Sequence, residues 1–256
     1  MRPLYIDASR AFAVGLDGPA LAVRGVARAD GRFPLRRVSR VLVSGAVQWD
    51  TRALVECLRR GIPVCFAEGD GTLVGVCVGM HAEGLALHER LAEFASRPDW
   101  TRHYAVWLLA AERRAILAVN FALGLRLRDL RPTAAREAIR ARLAAAGGAQ
   151  AARRARGFLE SAAMAFAARL LQESSVAPGL LVDGREGFNL VRDLGRLLGW
   201  DARVLAWRVL EHTGAMPDGR QLADAYQRRE TRQWKLAHDY LGLLEQRVIE
   251  LGYGDT

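Results

Sequence analysis

The segment RRARGFLESAAMAFAARLL, from Arg153 to Leu171, decides how the second half of the chain is interpreted. It begins with three closely spaced arginines and then becomes small and apolar around a single acid, Glu160. Alanine and leucine favour helices, and the apolar residues recur at helical spacing, so the segment predicts a helix with one buried face. Two interpretations of Glu160 follow. It is either a metal ligand beside phosphate-binding arginines or a solvated carboxylate near the start of a helix.

The residues at the N-terminal end of the chain predict strands instead. Short segments rich in β-branched residues, separated by Gly, Asp or Pro, predict strands over 3–7, 11–16, 20–26, 40–45, 62–68 and 72–78. The turn Gly69-Asp70-Gly71 predicts that the last two strands form a hairpin. Asp50 and Thr51 predict the start of one helix, which runs through Arg60 and ends at Gly61.

From about residue 82 the apolar pattern becomes helical. Besides the helix with Glu160, the spacing predicts helices over 85–95, 100–130, 133–146, 186–198 and 201–212, and a last helix that follows the turn at 214–219 and ends near 251. The sequence therefore predicts an α+β fold. A small β-rich N-terminal domain over residues 1–80 is followed by an all-helical C-terminal domain over residues 81–256.

The amino-acid composition limits the classes of function that fit this chain. The chain has 256 residues, 51% of them hydrophobic, and its 37 basic and 28 acidic side chains leave a net charge of +9. Such an excess favours a polyanionic partner, although Lys235 is the only lysine and biased codon usage would also enrich arginine. The three cysteines lie in apolar contexts without a CxxC pair and indicate buried thiols in a reducing compartment. No apolar stretch predicts a signal peptide or a membrane span, so we expect a cytoplasmic protein.

Three stretches taken together resemble the CRISPR-associated integrase family. They are LYID at residues 4–7, the run from VLVSG to GTLVG at residues 41–75, and the helix with Glu160. That family supplies the catalytic subunit of the complex that inserts new spacers into CRISPR arrays, a form of antiviral defence. The resemblance implies a β-rich N-terminal domain and a helical catalytic domain. It also implies a metal-dependent DNA integrase and endonuclease, which joins a 3′-hydroxyl to DNA by transesterification and nicks DNA.

The resemblance also implies the residues of the site. The family has a metal-binding glutamate in the helical motif Gly-Ile-Glu-Gly-x-Ala-Ala-Arg, and Glu160 takes that position here, with Ser161 in place of the second glycine. The family's other ligands are a histidine and then an acid that follows a Gly-Arg pair, an order matched by His212 and Asp224. Glu160, His212 and Asp224 are therefore the implied catalytic residues. Their oxygen and nitrogen ligands suit Mg²⁺ or Mn²⁺ better than zinc.

Partners follow from the same resemblance and from the charge. We expect the chain to bind DNA as duplex, branched or 3′-overhang substrates, to form a homodimer through its N-terminal domain, and to work with the small partner protein of CRISPR adaptation. The predicted DNA-binding residues are Arg113, Arg114, Arg153, Arg154, Arg156 and Arg220. The alternative function is a DNA-binding scaffold of the same fold that has lost catalysis. Convergence of the three ligands on one point would favour the enzyme, and dispersal would favour the scaffold.

Overall fold

The computed structural model describes residues 2–25, 30–79, 86–174, 189–214 and 216–252. The strands are β1 (Arg2–Asp7), β2 (Ala11–Asp17), β3 (Ala20–Gly25), β4 (Gly31–Pro34), β5 (Val38–Ser44), β6 (Gln48–Trp49), β7 (Val64–Ala67) and β8 (Leu73–Cys77). The helices are α1 (Thr51–Arg59), α2 (Ala86–Ser96), α3 (Trp100–Leu123), α4 (Pro132–Gly147), α5 (Ala149–Glu173), α6 (Leu190–Thr213) and α7 (Gly219–Gly252). A strand-rich N-terminal part followed by helices confirms the predicted α+β fold. The domain boundary at residue 80 stays a prediction.

The strands form two four-stranded sheets, ordered β1-β5-β7-β8 and β4-β3-β2-β6. In the first sheet β1, β5 and β7 run parallel, and β8 closes the predicted hairpin against β7. The six predicted strands and α1 are confirmed, and Asp50 caps α1 by accepting a hydrogen bond from the backbone N–H of Arg52 at 2.9 Å. Two strands, β4 and β6, were not predicted. They have four and two residues, too few to show an alternating pattern, and pairing with β3 and β2 defines them.

Two predicted helix boundaries are wrong. Helix α3 ends at Leu123, not at residue 130, because Gly124 adopts a left-handed conformation (φ 60°) and the side chain of Asn120 accepts a hydrogen bond from Leu127 N–H. The helices predicted at 186–198 and 201–212 are one continuous helix, α6, over the part that the structure describes. Gly199 does not interrupt it, since packing against α5 outweighs the low helix propensity of glycine.

Helix α5 lies at the centre of the fold and contacts α6, α4 and the first sheet. The β7–β8 turn presses directly on it: a Cβ atom on Gly157 would lie 2.4 Å from the carbonyl oxygen of Asp70. Ser161 donates a hydrogen bond to the carbonyl of Gly71 at 2.5 Å. The serine in place of the family's glycine therefore fastens the N-terminal sheet to the helix that carries Glu160.

Among the described residues, no helix is long and apolar enough to cross a membrane.

Candidate functional site

Glu160 lies on the face of α5 that meets α6. Its Oε1 atom accepts a hydrogen bond from Nε of Arg203 at 2.6 Å, and its Oε2 atom lies 4.0 Å from Nε of Arg156, one turn earlier on α5. On the facing helix, a Cβ atom on Gly199 would be in ordinary contact with Glu160, at 3.8 Å. The side chain of Glu160 is 30% exposed. The carboxylate is therefore reachable from solvent and is already paired with guanidinium groups.

Arg203 is held from two sides. Its guanidinium lies 4.1 Å from the centre of the Trp200 ring, within the range of a cation–π contact, and only 12% of its side chain is exposed. Burial lowers the pKa of Arg203, as do the nearby charges of Arg136 and Arg156, while the carboxylate of Glu160 acts in the opposite direction. Arginine nevertheless remains charged at neutral pH. The guanidinium group of Arg203 therefore holds a positive charge in a fixed position beside the carboxylate of Glu160.

A second carboxylate lies on the other side of Trp200. Glu112, buried on α3, accepts hydrogen bonds from Nη2 of Arg136 at 3.2 Å, from Nε of Arg196 at 2.9 Å and from the indole N–H of Trp200 at 3.2 Å. The guanidinium of Arg136 also lies 5.6 Å from the Trp200 ring centre. We call the basic residues around Trp200 the arginine cluster; its members are Arg136, Arg156, Arg196 and Arg203. Four positive charges face two carboxylates, so the cluster carries an excess of two positive charges.

His212 lies near the end of α6 and Asp224 lies in the second turn of α7. Both line a groove of about 830 Å³ between α6 and α7, and Glu160 is not among the residues that line it. Asp224 lies 3.9 Å from Arg220, and both side chains are mostly exposed. Over the described ranges, no group of three or more His, Cys, Asp and Glu side chains is placed to hold a metal ion. His212 and Asp224 thus share one groove, whereas Glu160 is paired with Arg203.

The surroundings of Glu160 do not fit a divalent cation in this conformation. Two unit charges 4 Å apart interact by about 4 kcal/mol at an effective dielectric constant near 20. A divalent ion bound at Glu160 would be attracted by one carboxylate and repelled by two guanidinium groups, those of Arg203 and Arg156. Among the described residues, Glu160 does not belong to any group of three or more His, Cys, Asp and Glu side chains that could hold a metal ion. The donor set here suits an anion.

The predicted DNA-binding arginines lie on three helices, α3, α5 and α7. Arg153, Arg154 and Arg156 lie in the first turns of α5, and Arg154 is 3.7 Å from Asp7 of β1. Arg113 and Arg114 are exposed on α3 and line two different grooves, one beside α4 and one beside α7. Arg220 is exposed at the start of α7. Only Arg156 of the predicted set joins the arginine cluster.

The sequence interpretation did not identify Arg196, Arg203 or Glu112 as site residues. A signal was present for each. Arg196 and Arg203 are seven residues apart, about two helical turns, so they share a face of α6. Glu112 is the only acid of α3 and lies between an apolar run and the pair Arg113-Arg114, and a buried carboxylate needs partners.

Residues 4–168 match the protein family described as CRISPR associated protein Cas1. A comparison with the curated proteins by sequence finds no match. The fold is similar to a Cas1 protein from Thermotoga maritima, with a TM-score of 0.70, 13% identity and 97% of each chain covered. It is also similar to TtCas1 in a complex with DNA (TM-score 0.62, 13% identity, 95% of this chain and 91% of that one). A third similar structure is a casposase bound to its integration product (TM-score 0.65, 10% identity, 94% and 91% covered). At these identities the structural likeness establishes the fold.

Proposed function

Because the chain belongs to the CRISPR associated protein Cas1 family, we propose that it takes part in the integration of new spacer DNA into CRISPR arrays. The observation that carries this proposal is the arginine cluster on the central helices, which offers phosphate-binding groups beside Glu160. The structures of TtCas1 with DNA and of a casposase with its integration product support a DNA partner for this fold. The net charge of +9 also favours binding to a polyanion such as DNA.

The geometry of the cluster suits a DNA backbone. Arginine presents planar, two-pronged donors that match phosphate oxygens. The side chains of Arg136 and Arg196 are anchored by buried Glu112, yet 42% and 39% of them remain exposed. An anchored guanidinium loses less side-chain freedom on binding than a mobile one, so its phosphate contacts cost less. Phosphate contacts of this kind position DNA without selecting a sequence.

Metal-dependent integrase and endonuclease activity at Glu160, His212 and Asp224, with Mg²⁺ or Mn²⁺, is the finer proposal that the resemblance implies. Family membership supports it, as does the groove that His212 and Asp224 share. Glu160 in its present contacts does not fit that ion, so we derive no catalytic step through a metal. The ion pair between Glu160 and Arg203 favours a second candidate, a DNA-binding scaffold of the same fold. A homodimer and the small adaptation protein remain the proposed partners.

DNA binding through the cluster is tested by the salt dependence of affinity. Backbone-led binding should weaken with a log–log slope of several units and be the same for unrelated duplex sequences. Arg136→Gln should reduce the magnitude of that slope by about 1, the loss of one phosphate contact. The control is Arg52→Gln, which removes one exposed arginine from α1 and should leave the slope unchanged.

Fluorescence anisotropy with a labelled 3′-overhang duplex between about 50 and 200 mM salt gives the slopes, and a thermal melt of each variant checks folding. A flat salt response, a strong preference for one duplex sequence, or equal effects of the two substitutions would contradict the proposal.

A further inference from the structure

We infer that Glu160 is the internal counter-ion of an arginine phosphate-binding site, in which the guanidinium groups of Arg203 and Arg156 supply the positive charge without a divalent metal ion. The inference rests on the proposed function, since it takes DNA as the source of the phosphate. It assigns Glu160 a role opposite to that of a metal ligand. Glu160 holds the arginines in place and lowers the positive charge that the DNA meets.

The first observation is that the charge opposite Glu160 is built in. Arg203 bonds the carboxylate at 2.6 Å while its guanidinium rests 4.1 Å from the Trp200 ring centre. These contacts fix the plane of the guanidinium and leave little freedom for it to move aside. A cation bound by Glu160 would either displace Arg203, which leaves an uncompensated charge, or lie beside its guanidinium and be repelled by it.

The second observation is a set of buried donors without acceptors. Nη1 of Arg203 and Nε of Arg156 are covered by their surroundings and find no hydrogen-bond partner among the described residues. Buried donors that stay unpaired are costly, and a phosphate oxygen is a strong acceptor for guanidinium N–H groups. The side chains of Arg156 and Glu160 are 34% and 30% exposed, so this part of the site is accessible from solvent.

These two observations predict the sign of a single substitution. Glu160→Gln removes the competing carboxylate and frees one guanidinium charge for DNA, so affinity measured in EDTA should rise and the salt slope should steepen by about 0.9. If Glu160 instead held a metal, the same substitution would weaken metal-dependent binding or activity and change nothing in EDTA. The two roles therefore predict different results in EDTA: a higher DNA affinity if Glu160 is the counter-ion and an unchanged affinity if it is a metal ligand.

The matched control is Glu56→Gln on α1. Glu56 and Arg60 form an ion pair of the same kind, with Nε 2.7 Å from Oε1, so this substitution also frees one arginine but on a different element. It changes the net charge by the same amount as Glu160→Gln. A larger effect at residue 160 than at residue 56 separates the site from a general rise in charge.

The experiment measures anisotropy with the labelled 3′-overhang duplex in EDTA and in Mg²⁺, and Mn²⁺ binding to the protein alone by electron paramagnetic resonance. We expect the wild type to bind DNA equally in EDTA and Mg²⁺, to show no Mn²⁺ site that depends on Glu160, and to bind more tightly as Glu160→Gln. Arg156→Gln changes a side chain that is 34% exposed and should weaken binding in EDTA, and a thermal melt checks that the variant folds.

Three outcomes overturn the inference: a Mn²⁺ site that is lost in Glu160→Gln, DNA binding that requires the divalent ion, or an unchanged affinity of Arg156→Gln. Each of them leaves the proposed function intact if the wild type still binds DNA with a steep salt slope. Absence of any DNA binding by the wild type contradicts the proposed function itself. If Glu160→Gln fails to fold, the DNA affinity of Arg156→Gln and the Mn²⁺ titration of the wild type still distinguish a counter-ion from a metal ligand.

Discussion

The buried carboxylate of Asp201 offers the sharpest test of how α6 is held to α7. Only 8% of the residue is exposed. It accepts hydrogen bonds from Nε and Nη2 of Arg229, both at 2.8 Å, from Arg232 at 2.9 Å and from Gln233 at 2.8 Å. Asp201→Asn keeps the shape but removes the charge and one acceptor oxygen. The buried guanidinium of Arg229 is then left without its counter-ion.

The cost follows from that arrangement. Breaking a buried ion pair by neutralising one partner costs roughly 3–5 kcal/mol. At roughly 2–4 °C of melting temperature per kcal/mol for a chain of this size, we expect the Tm to fall by about 6–20 °C. The control is Asp17→Asn, which breaks the exposed pair of Asp17 with Arg32. Exposed pairs contribute about 0–1 kcal/mol, so its melting temperature should change little.

The effect of Asp201→Asn should also depend on pH. Burial acts to raise the pKa of Asp201, but the hydrogen bonds and charges of Arg229 and Arg232 outweigh it, so this pKa lies below its ordinary value. A carboxyl group whose pKa is depressed in the folded state contributes stability above its unfolded pKa of about 3.9, and that contribution is lost as pH falls through the folded value. The difference in unfolding free energy between wild type and variant should therefore shrink below about pH 4.

The assay is urea unfolding followed by circular dichroism at pH 7 and at steps down to about pH 3. A variant that unfolds at the same urea concentration as the wild type at pH 7 would refute the role of Asp201. A difference that stays constant through the acidic range would refute the linkage to its ionisation.

Two further predictions concern the contact between the sheets and the helices and the oligomeric state. Gly157→Ala would place a Cβ atom 2.4 Å from the carbonyl oxygen of Asp70, so we expect the free energy of unfolding in a urea titration to fall by about 1–3 kcal/mol. The control is Gly75→Ala, which has open space around its Cβ position. Equal losses of stability in the two variants would contradict the close approach. We expect a homodimer through the N-terminal domain, because exposed strand edges need cover; sedimentation at micromolar concentration should give twice 28.1 kDa, and a clean monomer would count against it.

Much of the fold follows from local pattern. β-branched runs separated by turn residues located six of the eight strands, and the change to helical spacing near residue 82 located the helical part. The errors have local causes as well. Apolar spacing continues past Gly124, but the left-handed backbone there ends α3, while the break predicted between residues 198 and 201 is absent because α6 runs through it. In both cases hydrogen bonds or packing outside the pattern decide the boundary.

For the site, local sequence pattern was enough to predict that Glu160 lies on a helix with a buried face, close behind a group of arginines, in a chain with excess positive charge. It also determined the family resemblance, which the match over residues 4–168 confirms. Linear order and spacing also suggested His212 and Asp224 as companions of Glu160. Nothing in that pattern fixes which helices cross or in which register.

The packing of the helices determines which charged side chains form ion pairs. Glu160 pairs with Arg203, 43 residues further along the chain, and Glu112 pairs with Arg196, 84 residues away. The first pair forms because α5 packs closely on α6, and the second forms because α3 also packs on α6. Helical periodicity encodes the face that a helix buries, whereas the partner of each charged side chain depends on helix crossing and register. That dependence is why a carboxylate that the sequence presents as a metal ligand lies in the structure against an arginine.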